Sequence, residues 1–382
     1  MSVNGWPIRP LGKCAKFLSG GTPSKAKAEF WEGDIPWVSS GEMSETHITD
    51  TALHITAEAA QAGSRIVPPN TVLAVVRGMS LAKEFRVSIT QKEMAFNQDL
   101  KAFTCVPDVN SVFLFYALQA QKEYIRDLAT EASHGTKKLD TDVLENVAIA
   151  VPSLEIQKRV ISVLTVYDDL IENNRRRMAL LEQSARLLYE EWFVRLRFPG
   201  HEHTRIVEGA PSGWSKIPLD EVLILQRGFD LPSQDRIDGD IPIYGASGIN
   251  GRHNLARVTG PGIVTGRAGS LGIVHFVHGD FWPLNTSLWV KEFRLATPLF
   301  ALHLLRAMKL ERYGQGATMP MLDRKVVHKV EVLVPPPSVM KIFESFAADI
   351  QRQVQTLELN SEKLRAARDL LLPRLMSGEL VA

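Results

Sequence analysis

The sequence predicts an α+β protein made of two homologous mixed α/β domains, each followed by a long α-helix. The two helices are expected to pair as an intramolecular antiparallel coiled coil with pseudo-two-fold symmetry. Three observations predict this. A collinear set of short motifs occurs twice, each copy opens with short apolar runs cut by turn residues, and each closes on a heptad-patterned segment.

The duplication is read from matches in preserved order. Gly5-Trp6 and Pro10-Leu11 return as Gly213-Trp214 and Pro218-Leu219, and Gly20 returns as Gly228. Asp34-Ile35-Pro36 matches Asp240-Ile241-Pro242. Val72-Leu73 through Arg77-Gly78 matches Ile263-Val264 through Arg267 and Gly269. Further on, Asn97 matches Asn285, Val151-Pro152 matches Val334-Pro335, and Leu181 and Leu188 match Leu364 and Leu371. The spacing between copies shrinks along the chain, so the second copy is the same architecture with shorter loops. The implied boundaries are a first domain over 1–152, a helix over 153–198, a second domain over 199–335, and a helix with its tail over 336–382.

Each domain begins with strand-like runs such as Thr71–Val76, Ile263–Thr265 and Ser287–Val290, bounded by Gly, Pro, Asn and Asp. Apolar residues at helical spacing predict helices over Val112–Leu128 and Pro298–Arg312. A glycine-containing loop and a strand running into proline follow in each copy, Val147–Pro152 and Val330–Pro335.

In the first long segment Val160, Leu164, Tyr167, Ile171, Asn174, Met178, Leu181, Ala185, Leu188 and Trp192 alternate four- and three-residue gaps. In the second, Phe346, Ile350, Gln353, Leu357, Asn360, Leu364, Ala367 and Leu371 do the same. At about 1.5 Å per residue each is a rod of roughly 55–60 Å. Pro199-Gly200 is expected to break the first and Pro373 to begin ending the second. An apolar seam needs a partner, and the chain supplies one similar rod; pairing of each rod with another subunit is the alternative. Asn174, Gln353 and Asn360 would set register at some cost in stability.

Composition excludes several classes. Of 382 residues 45% are hydrophobic and 23% charged, as in a folded globular chain, and no apolar run approaches the ~18 residues of a membrane span. Cys14 and Cys105 form neither a disulfide framework nor a zinc site, which fits a reducing cytoplasm. A net charge of +1 leaves room for basic faces balanced by acidic ones. No Walker A loop is present, and Gly266-Arg267-Ala268-Gly269-Ser270-Leu271-Gly272 reads as a tight turn rather than a phosphate cradle. His201 and His203 lack metal-ligand partners nearby in sequence, so no metal site is expected. The aromatic clusters Phe30-Trp31 with Trp37, and Tyr244 with Phe281-Trp282, read as core. The chain thus reads as a binder rather than an enzyme.

Certain motifs resemble a known family. Gly20-Gly21-Thr22-Pro23-Ser24 followed by Gly33-Asp34-Ile35-Pro36-Trp37 resembles the opening of a target recognition domain in specificity subunits of type I restriction–modification systems. Gly135-Thr136 with Leu139, then Val151-Pro152-Ser153-Leu154-Glu155-Ile156-Gln157, resembles the family's junction between recognition domain and spacer helix, and Arg365–Leu380 resembles the end of its second spacer. The likeness spans essentially the whole chain. The second copy departs from it at Arg227-Gly228-Phe229-Asp230 and at Pro335-Pro336-Pro337-Ser338, which puts loop geometry there in question.

The resemblance implies a DNA-reading, non-catalytic subunit acting in the bacterial or archaeal cytoplasm. Its partners would be double-stranded DNA, two adenine-N6 methyltransferase subunits, and optionally two translocating restriction subunits. S-adenosylmethionine, ATP and magnesium would belong to those partners, with no cofactor in this chain and no membrane contact. Two unlike domains on paired rods would read a bipartite, asymmetric, gapped target, entering major grooves about one helical turn (~34 Å) apart.

Base readout needs bidentate donors on loops. The candidates are Arg77, Lys83, Arg86, Thr136, Lys137 and Lys138 in the first copy, and Arg252, Arg267, Gln315, Thr318, Arg324 and Lys325 in the second. Lys137 and Lys138 suit phosphate, which positions without specifying, while Asn97 and Asn285 suit strand-turn structure. Arg175-Arg176-Arg177 is a solvated face, or a contact with DNA phosphates in the gap or with an acidic partner surface, and Trp192-Phe193 is expected to dock a methyltransferase subunit. A duplicated protein-interaction adaptor is the competing class, distinguished by binding that is insensitive to salt.

Overall fold

The computed structural model describes residues 2–3, 5–43, 45–133, 135–316 and 320–380. They form two compact units, Met1–Asn173 with Asn360–Ala382, and Asn174–Leu359.

In the first unit the continuous apolar run Val72–Val75 becomes a central strand buried on both faces. The sheet order is Ala15–Ser19, Leu100–Cys105, Val72–Val75, Val87–Thr90, His47–Ile48, antiparallel except for the last pair. Successive strand residues point to opposite faces, so Val72 and Ala74 pack toward the helix Ser111–Ala120, while Leu73 and Val75 pack toward a second sheet. That second sheet holds Ile35–Val38 parallel to Met94–Phe96, flanked by His54–Ile55 and Ile66–Val67. Phe85, Phe96, Phe103, Phe113 and Phe115 are fully buried, each stabilising by about 1.5–3 kcal/mol.

The second unit repeats this order with fewer strands: Leu223–Arg227, Ser287–Phe293, Gly262–Gly266, Val274–Val277. Its second sheet again has a parallel pair, Ile241–Gly245 with Trp282–Pro283, joined by Gly248–His253. The repeated glycine has a steric cause. A Cβ on Gly20 would lie 2.2 Å from the Phe96 carbonyl oxygen, and one on Gly228 would lie 2.2 Å from that of Leu284. The paired chain start and domain end recur as well, Trp6–Pro10 with Ala148–Ala150 and Ser215–Pro218 with Glu331–Val334. Gly269 and Gly272, both at positive φ, make the Gly266–Gly272 segment a turn.

The long helices are Leu154–Tyr189 and Pro337–Met376. In the first unit Val160 and Leu164 share a core with Leu372, Leu375 and Met376, while Asp168, further along the first helix, meets Arg368, further back along the second. The segments therefore run antiparallel. In the second unit Trp192 and Tyr189 pack edge-to-face against Phe343, and Arg177 faces Gln353 and Leu357, again antiparallel.

Each helix also clamps the N-terminus of its domain's own helix. Gln157, fully buried, accepts from Asn110 N–H at 2.8 Å and donates to the Asp108 and Pro152 carbonyls. Glu344 accepts from the Thr297 hydroxyl at 2.6 Å and from the Leu299 and Phe300 N–H groups, placing a carboxylate at the positive end of Pro298–Ala307.

Several expectations are corrected. On the second helix Phe346, Gln353 and Asn360 are exposed; Ala347, Val354 and Ser361 are buried in their stead. One column of the expected seam, Ile350, Leu357, Leu364 and Leu371, is buried or half-buried, but the other is displaced by one residue. Ala347 is taken into the second unit's core, while the Phe346 ring stays half-exposed with its edge against Trp192. On the first helix Val160, Leu164, Asn174 and Ala185 are buried, and Tyr167, Ile171, Met178, Leu181 and Leu188 are half-buried. That helix ends at Tyr189 in a π-turn over Glu190–Val194, before Pro199-Gly200, while Pro373 lies in the last turn of the second helix, which ends at Met376 as expected. The expected domain helices are each interrupted, at Gln121 in the first copy and at Met308-Lys309 in the second, where Lys309 adopts a φ of 52°.

Trp192 and Phe193 are not a docking patch. They are 8% and 6% exposed and belong to the second unit's core with Phe343, Phe300 and Trp214. The aromatic pair is satisfied by the chain's own rings.

Candidate nucleic-acid interface

In the first unit the candidate residues converge on one small sheet. Arg77-Gly78 pairs with Thr136–Lys138, setting Lys138 opposite Arg77 and Lys137 opposite Gly78, and Thr136–Lys138 pairs in turn with Thr130–Ser133. Gly135, at a φ of 76°, supplies the left-handed turn. The ribbon is tied to the core by three backbone bonds. Val76 and Arg77 N–H groups donate to the Asp99 carbonyl, and Leu139 N–H donates to Val76. The Ser80–Ala82 turn, with Lys83 at its end, packs beside it.

Arg77 and Lys83 are exposed, while Arg86, Thr136, Lys137 and Lys138 are half-buried. Two carry acidic neighbours: Lys138 pairs with Asp140 at 2.9 Å and Arg86 with Glu84 at 3.4 Å. Such exposed pairs hold about 0–1 kcal/mol, weak enough to be exchanged for a phosphate. Asn97 bonds to Asp99 through both side-chain and backbone groups, a strand-turn role. The Gly20–Ser24 loop is pinned from beneath, since the Trp37 indole donates to Gly21 O and the Trp31 indole to Ser24 O.

The second unit builds a counterpart with a different surface. Arg267 and Ala268 N–H groups donate to the Thr286 carbonyl, and Leu322 N–H donates to Arg267, repeating the clamp around Val76, Arg77 and Leu139. This bonding sets Arg267 in the place of Val76, and Ala268 in that of Arg77, one step from the alignment the sequence suggests. Because successive strand residues face opposite ways, Arg267 turns inward, half-buried, with Nη1 donating to Asn285 O at 3.1 Å. Asn285 bonds to Asp230, which also pairs with Arg227. Gln315 lies on a two-stranded hairpin opposite Met321, and Arg324 and Lys325 open the short helix Arg324–His328 just beyond it. All three are exposed. Thr318 lies outside the described residues.

His328 anchors that short helix by accepting from Leu225 N–H through Nε2 at 2.9 Å, and burial lowers its pKa, keeping the ring neutral. Arg252 stands apart from this cluster, on Gly248–His253, with Nη1 donating to Asp240 O at 2.7 Å. The structure therefore brings together Arg267, Gln315, Arg324 and Lys325 and leaves Arg252 elsewhere. Arg227, which the sequence did not single out, is drawn toward the group through the Asp230–Asn285 link, a tertiary relation without a local motif. Among the described residues no group of His, Cys, Asp and Glu has metal-binding spacing, and no helix is long and apolar enough to cross a membrane.

Duplicated mixed domains, each carried by a long helix, with a basic hairpin in the first unit and a hairpin followed by a basic short helix in the second, define the class of a twofold-repeated recognition protein. The model of the type I restriction modification DNA specificity domain matches residues 4–183 and 211–361, and the chain belongs to that family, as a specificity subunit with two recognition domains. It is similar to the specificity subunit of the type I restriction enzyme MjaIX of Methanocaldococcus jannaschii, 25% identical over 98% of this chain and 93% of that one. It is also similar to that of EcoprrI of Escherichia coli, 26% identical over 85% and 82%. In fold it is similar to the crystal structure of a type I restriction–modification S subunit from M. genitalium, with a TM-score of 0.56 at 18% identity over 98% of this chain and 99% of that one.

Proposed function

We propose that each recognition domain reads one half of a bipartite, asymmetric, gapped DNA target, and that the chain positions methyltransferase subunits on it without chemistry of its own. One observation carries this reading: the same backbone clamp holds a hairpin in both units, with Lys137 and Lys138 on the first and Gln315 on the second, where Arg324 and Lys325 follow on the next short helix. Equal scaffolds with unequal surfaces suit two unlike half-sites in successive major grooves.

In this reading Lys137, Lys138 and Lys325 engage phosphate. Arg77, Gln315 and Arg324 reach base edges, and Arg267 contributes through the donors of its guanidinium that face away from Asn285. The partners are two methyltransferase subunits and, where present, two restriction subunits, to which S-adenosylmethionine, ATP and magnesium belong. Binding of the assembled complex to a specific and to a random duplex across a salt series tests the reading. A steep fall in affinity with salt on both, with a large margin for the specific duplex, is expected. Salt-insensitive binding without sequence preference would point to a protein-interaction adaptor.

A further inference from the structure

Gly20 in the first unit and Gly228 in the second, each pressed against a neighbouring carbonyl, fix an equivalence around them. The residue before the glycine, Ser19 or Arg227, faces Lys101 or Leu288 across the ladder. Two residues after it, the Thr22 hydroxyl donates to Gln98 Oε1 at 2.6 Å, and Asp230 accepts from the Asn285 amide. Gln98 and Asn285 each precede the residue whose carbonyl clamps the hairpin, Asp99 or Thr286. Lys101 and Leu288 each lie two residues beyond that carbonyl, about 7 Å along the strand.

At this place each unit carries one cation, but on opposite strands of the pair. In the first unit Lys101 Nζ donates to the Ser19 hydroxyl at 2.7 Å. In the second, Arg227 stands where Ser19 does, and Leu288, 1% exposed, takes the place of Lys101 within the core. A charge at Leu288 would be desolvated, so the cation is carried instead by the edge strand Leu223–Arg227. Residue type and strand have both changed, while the place of the charge beside the glycine and the hairpin clamp has not. Packing alone does not ask for that; a fixed negative charge on a ligand does.

The charge is available in both units. Lys101 meets a neutral hydroxyl, and Asp99, the acidic residue nearest it along the strand, accepts from Asn97. Arg227 pairs with Asp230 at 3.6 Å, between side chains 50% and 68% exposed, an arrangement that water screens and a phosphate can displace.

We propose that Lys101 and Arg227 are matched phosphate contacts, one in each recognition domain, each holding the DNA backbone beside the groove that its own hairpin enters. This rests on the DNA-reading function proposed above and adds to each domain a contact outside its hairpin. Two different cations on two different strands suit a point of negative charge, which positions without specifying, rather than a base edge with a fixed donor and acceptor pattern.

Exchanging the two arrangements in the assembled complex tests this. Lys101→Leu should weaken binding to specific and random duplexes alike, about three- to tenfold, and lower the salt slope by about 1. Adding Ser19→Arg, which rebuilds the second unit's arrangement in the first, should restore both affinity and slope. A purely structural Lys101–Ser19 hydrogen bond is not rebuilt by that pair of changes, so a loss left unrestored overturns the inference. Should Lys101→Leu fail to fold, Arg227→Gln, at an exposed position, should give the same loss of affinity and slope through the other domain. Unchanged affinity and slope in complexes that still prefer their specific duplex overturn the inference and leave the specificity function standing. A loss confined to the specific duplex also overturns it, making the contact one to a base edge. An unmodified complex that binds without regard to salt or sequence overturns the inference and the specificity function together.

Discussion

Arg368 on the second long helix donates to Asp168 on the first at 2.5 Å, and Asp168 also accepts from the Tyr116 hydroxyl of the recognition domain at 2.6 Å. One nearly buried carboxylate thus ties the domain and both helix segments of the first unit. Asp168→Ala should destabilise that unit by about 3 kcal/mol, because Arg368 loses its buried counter-ion. Chemical denaturation followed by circular dichroism measures it. The double variant Asp168→Leu with Arg368→Leu should recover much of the loss, and no recovery would contradict the assignment.

Trp192 and Phe193 belong to the second unit's core, so Trp192→Ala and Phe193→Ala should each cost about 3–5 kcal/mol in stability. A surface role in docking would instead leave the melting temperature unchanged while weakening assembly. Thermal melts of the purified chain separate the two.

The second unit should be acid-sensitive. His303 is buried between Tyr189 and Phe343, and burial, with Arg306 nearby, lowers its pKa from 6.5 to about 3. A depressed histidine favours the neutral ring in the folded state. Its stabilising contribution is therefore full above about pH 6.5 and is lost as pH falls from there toward about 3. His275, His278 and His328 are shifted in the same direction. His303→Phe should flatten part of the fall in melting temperature between neutral pH and pH 4, and an unchanged slope would refute it.

Arg267→Ala and Lys137→Ala should separate reading from positioning. If Arg267 reaches a base pair, its loss relaxes specificity in one half-site by about 1–3 kcal/mol, whereas loss of a phosphate contact at Lys137 weakens all duplexes alike and lowers the salt slope by about 1. Competition binding with half-site variants measures both, and equal weakening on specific and random duplexes after Arg267→Ala would remove it from base readout.

Much of the architecture was legible because duplication leaves its mark on local sequence. Glycines at Gly20 and Gly228 are forced by close backbone approach, and the prolines after Val151 and Val334 mark equivalent strand ends. Helix phase was less legible. On the second helix two adjacent columns both carry apolar residues, and tertiary packing, which local sequence does not state, buries Ala347, Val354 and Ser361 and leaves Phe346, Gln353 and Asn360 exposed. Trp192 was misread for the complementary reason: its partners Phe343 and Phe300 lie far along the chain. In the candidate interface residue type was readable, but orientation was not. A one-residue shift turned Arg267 from the place of Arg77 to that of Val76, and only the clamp to Thr286 reveals it.

In its proposed function this chain chooses where adenines are methylated. Single-molecule methylation sequencing of host DNA, with and without the gene, tests it most directly. Loss of methylated adenines at one two-part, gapped, asymmetric motif on deletion is the predicted result. An unchanged adenine methylation pattern, with the methyltransferase subunit expressed and active, would contradict it.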